Sequence, residues 1–186
     1  MDKWEVYHEV RRLQMELVKV DKEGWYNNEF LTWQWWILLI LLIGPWIVYI
    51  LLYDRKKVVS TMLVGMIVAL VNVLLDVIGS DMDFWGYPTE LISPGPGAFP
   101  FDLGIVTVTY MMMYQQLSKW KRYIPGLIIM ALFFAIIGEG LSEILDLYEK
   151  IEWKTIYSLG YYIVVGIGVK WFVDKLVRVQ ERATGS

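Results

Sequence analysis

The chain has 186 residues, 56% of them hydrophobic, and a formal net charge of −3. That charge offers nucleic acid no general attraction, and the lack of cysteine excludes disulfides, thiolate metal centres and cysteine nucleophiles. A mean hydropathy of +0.43 exceeds what a water-facing surface allows in so small a domain, so the composition predicts one compact bundle in a membrane.

Residues 1–30 are heavily charged. The first apolar run starts only at Leu31, is too long for a signal-peptide core and has no small-residue cleavage pattern after it, so it reads as a true span. Within 1–30, Val6, Val10, Leu13, Leu17 and Val20 follow a 4-3-4-3 spacing. This predicts an amphipathic helix with one narrow apolar stripe, capped by Asp2 and Glu5 and ended by Gly24. The stripe suits the membrane surface or the protein's own bundle, and a dimerising coiled coil is the alternative that would make a homo-oligomer.

A span needs about 20 mostly apolar residues. Five segments approach this: 31–53, 58–79, 101–117, 123–145 and 155–172, with the third and fifth the least apolar. The expected fold is therefore all-α, a polytopic membrane bundle of about five transmembrane helices over 31–175, with the amphipathic helix before it and a tail from 176 to 186. Arg55, Lys56 and Lys57, then Lys119, Lys121 and Arg122, then Lys170, Lys175, Arg178 and Arg182 all fall on one side of such a bundle. The positive-inside rule makes that side cytoplasmic, with the C-terminus there and the N-terminus outside.

Residues 80–100 hold four of the six prolines, together with Phe84, Trp85, Tyr87 and Phe99. Proline stiffens the chain and aromatic rings suit the headgroup layer, so an ordered loop folding over the outer mouth is expected.

Ionisable groups inside spans are costly and each calls for an account. Asn72 and Asp76 stand four apart on the second span, Asp102 opens the third, and Glu139 and Glu143 stand four apart on the fourth. All fall in the outer half, where no Lys or Arg is expected to neutralise them. Three outcomes are open: the acids hold protons, bind a hard cation such as Mg²⁺ or Ca²⁺, or face a wet vestibule. Asp76, Asp102, Glu139 and Glu143 are the candidate catalytic groups, and Asn72, Tyr157 and Tyr161 the candidate ligand-binding groups. The tyrosines would orient an acid or face a cation with their rings. Lys170 is expected to snorkel to the cytoplasmic face, and Gln115 and Gln116 to be solvated. His8 is the only histidine and lies outside the bundle, which excludes a histidine triad or zinc site there. Asp81 to Trp85 begins like a calcium loop but fails at Trp85 and Ile92.

Several runs carry a resemblance: Gly86-Tyr87-Pro88, Pro100-Phe101-Asp102-Leu103, Tyr110-Met111, Tyr114-Gln115, Phe134 to Glu139, Trp153-Lys154, Tyr157-Ser158 and Lys170-Trp171. Over most of the chain beyond residue 30 it resembles an uncharacterised family of small multi-pass membrane proteins from endospore-forming bacteria. It departs from that family at Gly140, where the family has proline. The resemblance implies a bacterial plasma membrane and implies no activity. Together the residues point to a carboxylate-lined site at the outer face for an isoprenoid or other lipid-like ligand, with membrane lipids as partners and no nucleic acid. Proton or cation transport is an alternative, disfavoured by the apolar inner halves of spans two and four. A scaffold acting through the N-terminal helix is another.

Overall fold

The computed structural model describes residues 2–184. Helix α1, Lys3–Asn28, opens with a capping box. The Asp2 carboxylate accepts the amides of Trp4 (2.7 Å) and Glu5 (2.9 Å), and the Glu5 carboxylate accepts that of Asp2 (2.9 Å). The helix passes through Gly24 rather than ending there. None of its residues is buried, and all five positions of the apolar stripe are exposed. Its far end is pinned to the 82–100 loop. The Trp25 indole donates to the Glu90 carbonyl (3.0 Å), Ser93 donates to the Asp21 carboxylate, and the Glu90 amide donates to Glu29 (2.7 Å).

Helix α2 (Trp33–Leu52) and α3 (Val58–Asp81) follow. A π-helical turn, Phe101–Ile105, leads into α4 (Val106–Gln116). Next, α5 (Trp120–Leu132) runs through a second π turn, Phe133–Gly138, into α6 (Glu139–Ile144). The last helix, α7, is Thr155–Thr184 and so extends into the stretch expected to be a tail, whose last two positions, 185 and 186, lie outside the described residues. A two-residue antiparallel ribbon pairs β1 (Trp85–Gly86) with β2 (Glu149–Lys150), Trp85 opposite Lys150.

Four helical stretches are long and apolar enough to cross a membrane: Trp33–Leu52, Val58–Asp81, Trp120–Ile144 and Thr155–Ala183. They carry much of their apolar surface outward, including Ile40, Ile43, Ile47, Ile50 and Leu51 on α2. A patch this extensive is untenable in water and natural in lipid. Helix α4 is the exception. Seven of its eleven residues are buried, and it sits against α2, α3 and α5. Because it faces protein on most sides, it can be short and carry Thr, Tyr and Gln.

Gly104 explains how α4 gets so close to α2. A Cβ there would lie 2.2 Å from the Leu41 carbonyl oxygen and 2.7 Å from Leu42 Cα. Gly104 also leaves helical geometry (φ −104°, ψ −106°) inside the π turn. The turn frees the Leu103 carbonyl, which accepts the Trp46 indole N–H at 2.7 Å.

Hydrogen bonds fix the two ends of the bundle. At one end, Gln115 donates to the Leu52 carbonyl (2.9 Å) and accepts the Asp54 amide (2.9 Å). Lys57 donates there to the Gln115 carbonyl (2.9 Å) and the Ser118 hydroxyl (2.8 Å). Gln115 is thus buried and bonded rather than solvated, while Gln116 is exposed. At the other end, the 82–100 loop joins the 145–154 loop. The Phe84 carbonyl accepts the amides of Ile151, Glu152 and Trp153, and Thr89 donates to the Asp146 carbonyl.

Candidate functional site: the carboxylate cluster at the end of α3

Asp76 sits on the last turns of α3, buried at 7% exposure. Its Oδ1 accepts the Trp85 indole N–H (2.9 Å) and the Tyr87 hydroxyl. Both donors come from the proline-rich loop, which folds onto the bundle here. Local packing explains their positions. The Trp85 ring fills a recess over Gly79, where a Cβ would lie 2.1 Å from the indole. Asp76 Oδ2 is buried with no hydrogen-bond partner.

Asp102 lies at the start of the π turn, 9% exposed, and its Oδ2 is likewise buried and unpartnered. The two acids are close enough to feel each other's charge. One turn deeper, Asn72 accepts the Tyr161 hydroxyl through Oδ1, and Tyr161 in turn lies within electrostatic range of Asp102 and Asp76. Asn72, Asp76, Asp102 and Tyr161 therefore share one buried region at the junction of α3, the π turn and α7.

Glu139 and Glu143 have a different environment. Lys150 Nζ lies 3.3 Å from Glu139 Oε2 and 3.2 Å from Glu143 Oε1. The Glu139 contact is an ion pair without hydrogen-bond geometry. The expectation of an outer half free of basic groups does not hold here. The ribbon carries Lys150 from beyond the end of α6 back over both acids. Glu139 also faces Ser158, whose hydroxyl accepts the Trp153 indole N–H at 2.9 Å. Tyr157 stands apart: it is half-exposed on α7 and touches the Trp153 ring at 5.3 Å between centroids.

Two loop tyrosines register the proximity of the acids. Burial pushes the Tyr148 hydroxyl up, and Glu139, Glu143 and Asp76 push it further. Burial likewise raises Tyr87, followed by Asp76, Asp102 and Tyr148. The two rings meet at 5.8 Å. Carboxylates from α3, the π turn and α6 thus converge beneath one aromatic cap.

Among the described residues, no group of three carboxylates or histidines is placed to hold a metal ion. Two apolar hollows lie elsewhere. One of about 540 Å³ lies between α2 and α4, beside Pro45, Val108 and Met112. The other, about 370 Å³, lies between α2 and α3, beside Trp46, Met66 and Leu103. None of the four acids lines either. Reading the sequence missed Trp85, Tyr87, Tyr148, Lys150 and Ser158 as members of the cluster. Trp85 and Tyr87 carried a signal, as paired indole and phenol donors in a stiff loop next to a span containing an acid. No family model, curated protein or solved structure matches this chain.

Proposed function

We propose that this multi-pass protein binds a lipid-like ligand, an isoprenoid or other amphiphile with a cationic head, through Asp76 and Asp102. One observation carries the reading. Both acids are buried, each has an oxygen with no partner, and neither forms an ion pair among the described residues. A buried carboxylate without a partner takes a proton or a cation. Tyr87, Tyr161 and Trp85 add ring faces and hydroxyls suited to an ammonium group. Glu139 and Glu143, already engaged by Lys150, act as positioning groups for the cap.

In this reading the chain crosses the plasma membrane five times, α4 supplying the fifth crossing within a sheath of protein. Hydrogen bonds joining residues 52–57, 115–118 and 170 place the Lys-rich ends together, which supports a cytoplasmic C-terminus and an outer N-terminus. The family resemblance supports a bacterial plasma membrane. Helix α1 then lies at the outer face, where its stripe meets lipid.

The test is thermal unfolding in lipid nanodiscs with octylamine, octanol or octanoate. Binding to the folded state alone stabilises it, by about 2.7 kcal/mol at a hundredfold excess over Kd, and so raises the melting temperature. Octylamine alone should give the shift, and Asp76→Asn with Asp102→Asn should remove it. An equal shift with octanol, or in the double variant, would defeat the proposal.

A further inference from the structure

The aromatic cap closes the acid pair at the loop end of the bundle. Asp76 and Asp102 are 7% and 9% exposed, and the loop that carries Trp85 and Tyr87 is fastened on both flanks. The Phe84 carbonyl holds the amides of Ile151, Glu152 and Trp153, and Trp35 on α2 donates its indole N–H to the Leu91 carbonyl at 2.9 Å. An amphiphile that reaches these acids therefore needs a way in from the side.

Such a way lies between α2 and α3. Only residues 53–57 connect the two helices, yet they barely touch each other. The π turn and α4 pack on both from behind, and the front stays open as the hollow of about 370 Å³. Leu42 and Trp46 form one wall, Met66 and Ala69 the other, and Leu103 and Thr107 the back. Its mouth faces outward, where Met66 is 68% exposed. The hollow ends beside the acids. Phe99 and Leu103, both in its lining, flank Asp102 in sequence, and the Thr107 hydroxyl donates to the Asp102 carbonyl. Trp46 is tied to the same place by its bond to the Leu103 carbonyl. On α3, Ala69 stands seven residues before Asp76, which is two turns along one face and a rise of about 10 Å. The larger hollow, between α2 and α4, has no such link. It runs along Thr109 and Met113 to Gln116 and Leu117, at the end of α4 away from the acids.

We infer that the α2–α3 cleft holds the hydrocarbon tail of an amphiphile whose cationic head sits on Asp76 and Asp102, and that the ligand enters through this cleft sideways from the bilayer. The tail site rests on the binding reading above and supplies its apolar half. The volume is at the small end of the roughly 300–1,000 Å³ of ligand pockets. It suits one alkyl or polyprenyl chain better than the paired chains of a phospholipid. Met62 and Met66 line it with unbranched, polarizable side chains that adapt to such a chain.

The experiment uses the full chain in lipid nanodiscs and an alkylamine brominated midway along its chain, since bromine quenches indole emission at short range. The wild type should lose a saturable share of its tryptophan emission, and excess octylamine should restore it. That share should vanish in Trp46→Phe, which removes the reporter. It should also vanish in Ala69→Phe, whose ring fills the cleft and leaves Trp46 in place. Should one variant fail to fold, the other carries the test. Quenching that octylamine does not displace means that ordinary lipid chains fill the cleft, and it overturns the tail site. Undiminished quenching in folded Trp46→Phe or Ala69→Phe overturns it as well. In either case an octylamine melting shift that depends on Asp76 and Asp102 leaves the head site standing. Absence of that shift in the wild type overturns both.

Discussion

Lys170 offers the sharpest test of how the bundle is held together. Its ammonium is 1% exposed and lies 4.8 Å from the Tyr114 ring centre, 5.1 Å from Tyr123 and 5.2 Å from Trp120. It also pairs with Asp174 and donates to the Ser118 carbonyl. Replacing it with Met keeps the stem's volume and removes the charge. The bond to the carbonyl is charge-assisted, worth about 1.5–3 kcal/mol, and a desolvated ring contact adds up to about 2 kcal/mol. Against this stands the cost of burying the ammonium, which the variant no longer bears. Removing one partner of a buried pair costs about 3–5 kcal/mol. Asp174 is 22% exposed and regains some water, so the lower figure applies, about 3 kcal/mol. For a chain of this size that corresponds to a fall of roughly 6–12 °C in melting temperature. Asp174→Asn should cost less, since the rings and the Ser118 carbonyl remain. The Lys170→Met/Asp174→Asn double variant should cost less than the sum of the singles, as expected for groups in contact. The assay is thermal unfolding in detergent followed by tryptophan fluorescence. If Lys170→Met melts within roughly 2 °C of wild type, less than about 1 kcal/mol on that scale, the cage contributes little and the reasoning fails.

Glu90, in the 82–100 loop, has its carboxyl pushed up to about 8 by burial, with Asp21, Glu29 and Asp76 adding to it. Its stabilising effect is therefore complete below its ordinary value of 4.5 and lost as pH rises through about 8. Glu90→Gln should melt with a flatter pH dependence between these limits, and a slope equal to wild type would contradict this. Gly104→Ala drives a Cβ into the α2 backbone and should cost about 3 kcal/mol. Gly140→Ala meets nothing within 4 Å inside a helix and should gain about 0.5–1 kcal/mol; melting temperatures separate the two. Deleting residues 2–20 removes no buried side chain and spares Asp21, Trp25 and Glu29. The melting temperature should stay close to wild type, and loss of a homo-oligomer on gel filtration would reveal a scaffold role for α1.

Hydropathy made α2, α3 and α7 legible, because their outward faces meet lipid and must be apolar over a bilayer's width. It ranked the α4 segment, 101–117, among the least apolar of the five for the opposite reason. That helix is wrapped in protein, so Thr107, Tyr110 and Gln115 could enter it, and it fell short of a span by length and composition. The acids were legible one at a time, as costs. Their partners were not, because a ribbon between residues 85–86 and 149–150 delivers them from loops far apart in sequence. Lys170 was misread for a related reason. Snorkelling is the fate of a lysine facing lipid, whereas this one faces three rings from α4 and α5.

Charge accounting then alters what the acidic cluster means. Four acids with no base nearby would have repelled one another and favoured metal or water. Lys150 answers Glu139 and Glu143 and, through its place opposite Trp85, ties them to the same cap that bonds Asp76. What is left unanswered is Asp76 with Asp102, on two helices, under a roof of indole and phenol rings. A pair that can hold one shared proton or one organic cation is suited to exchanging the one for the other.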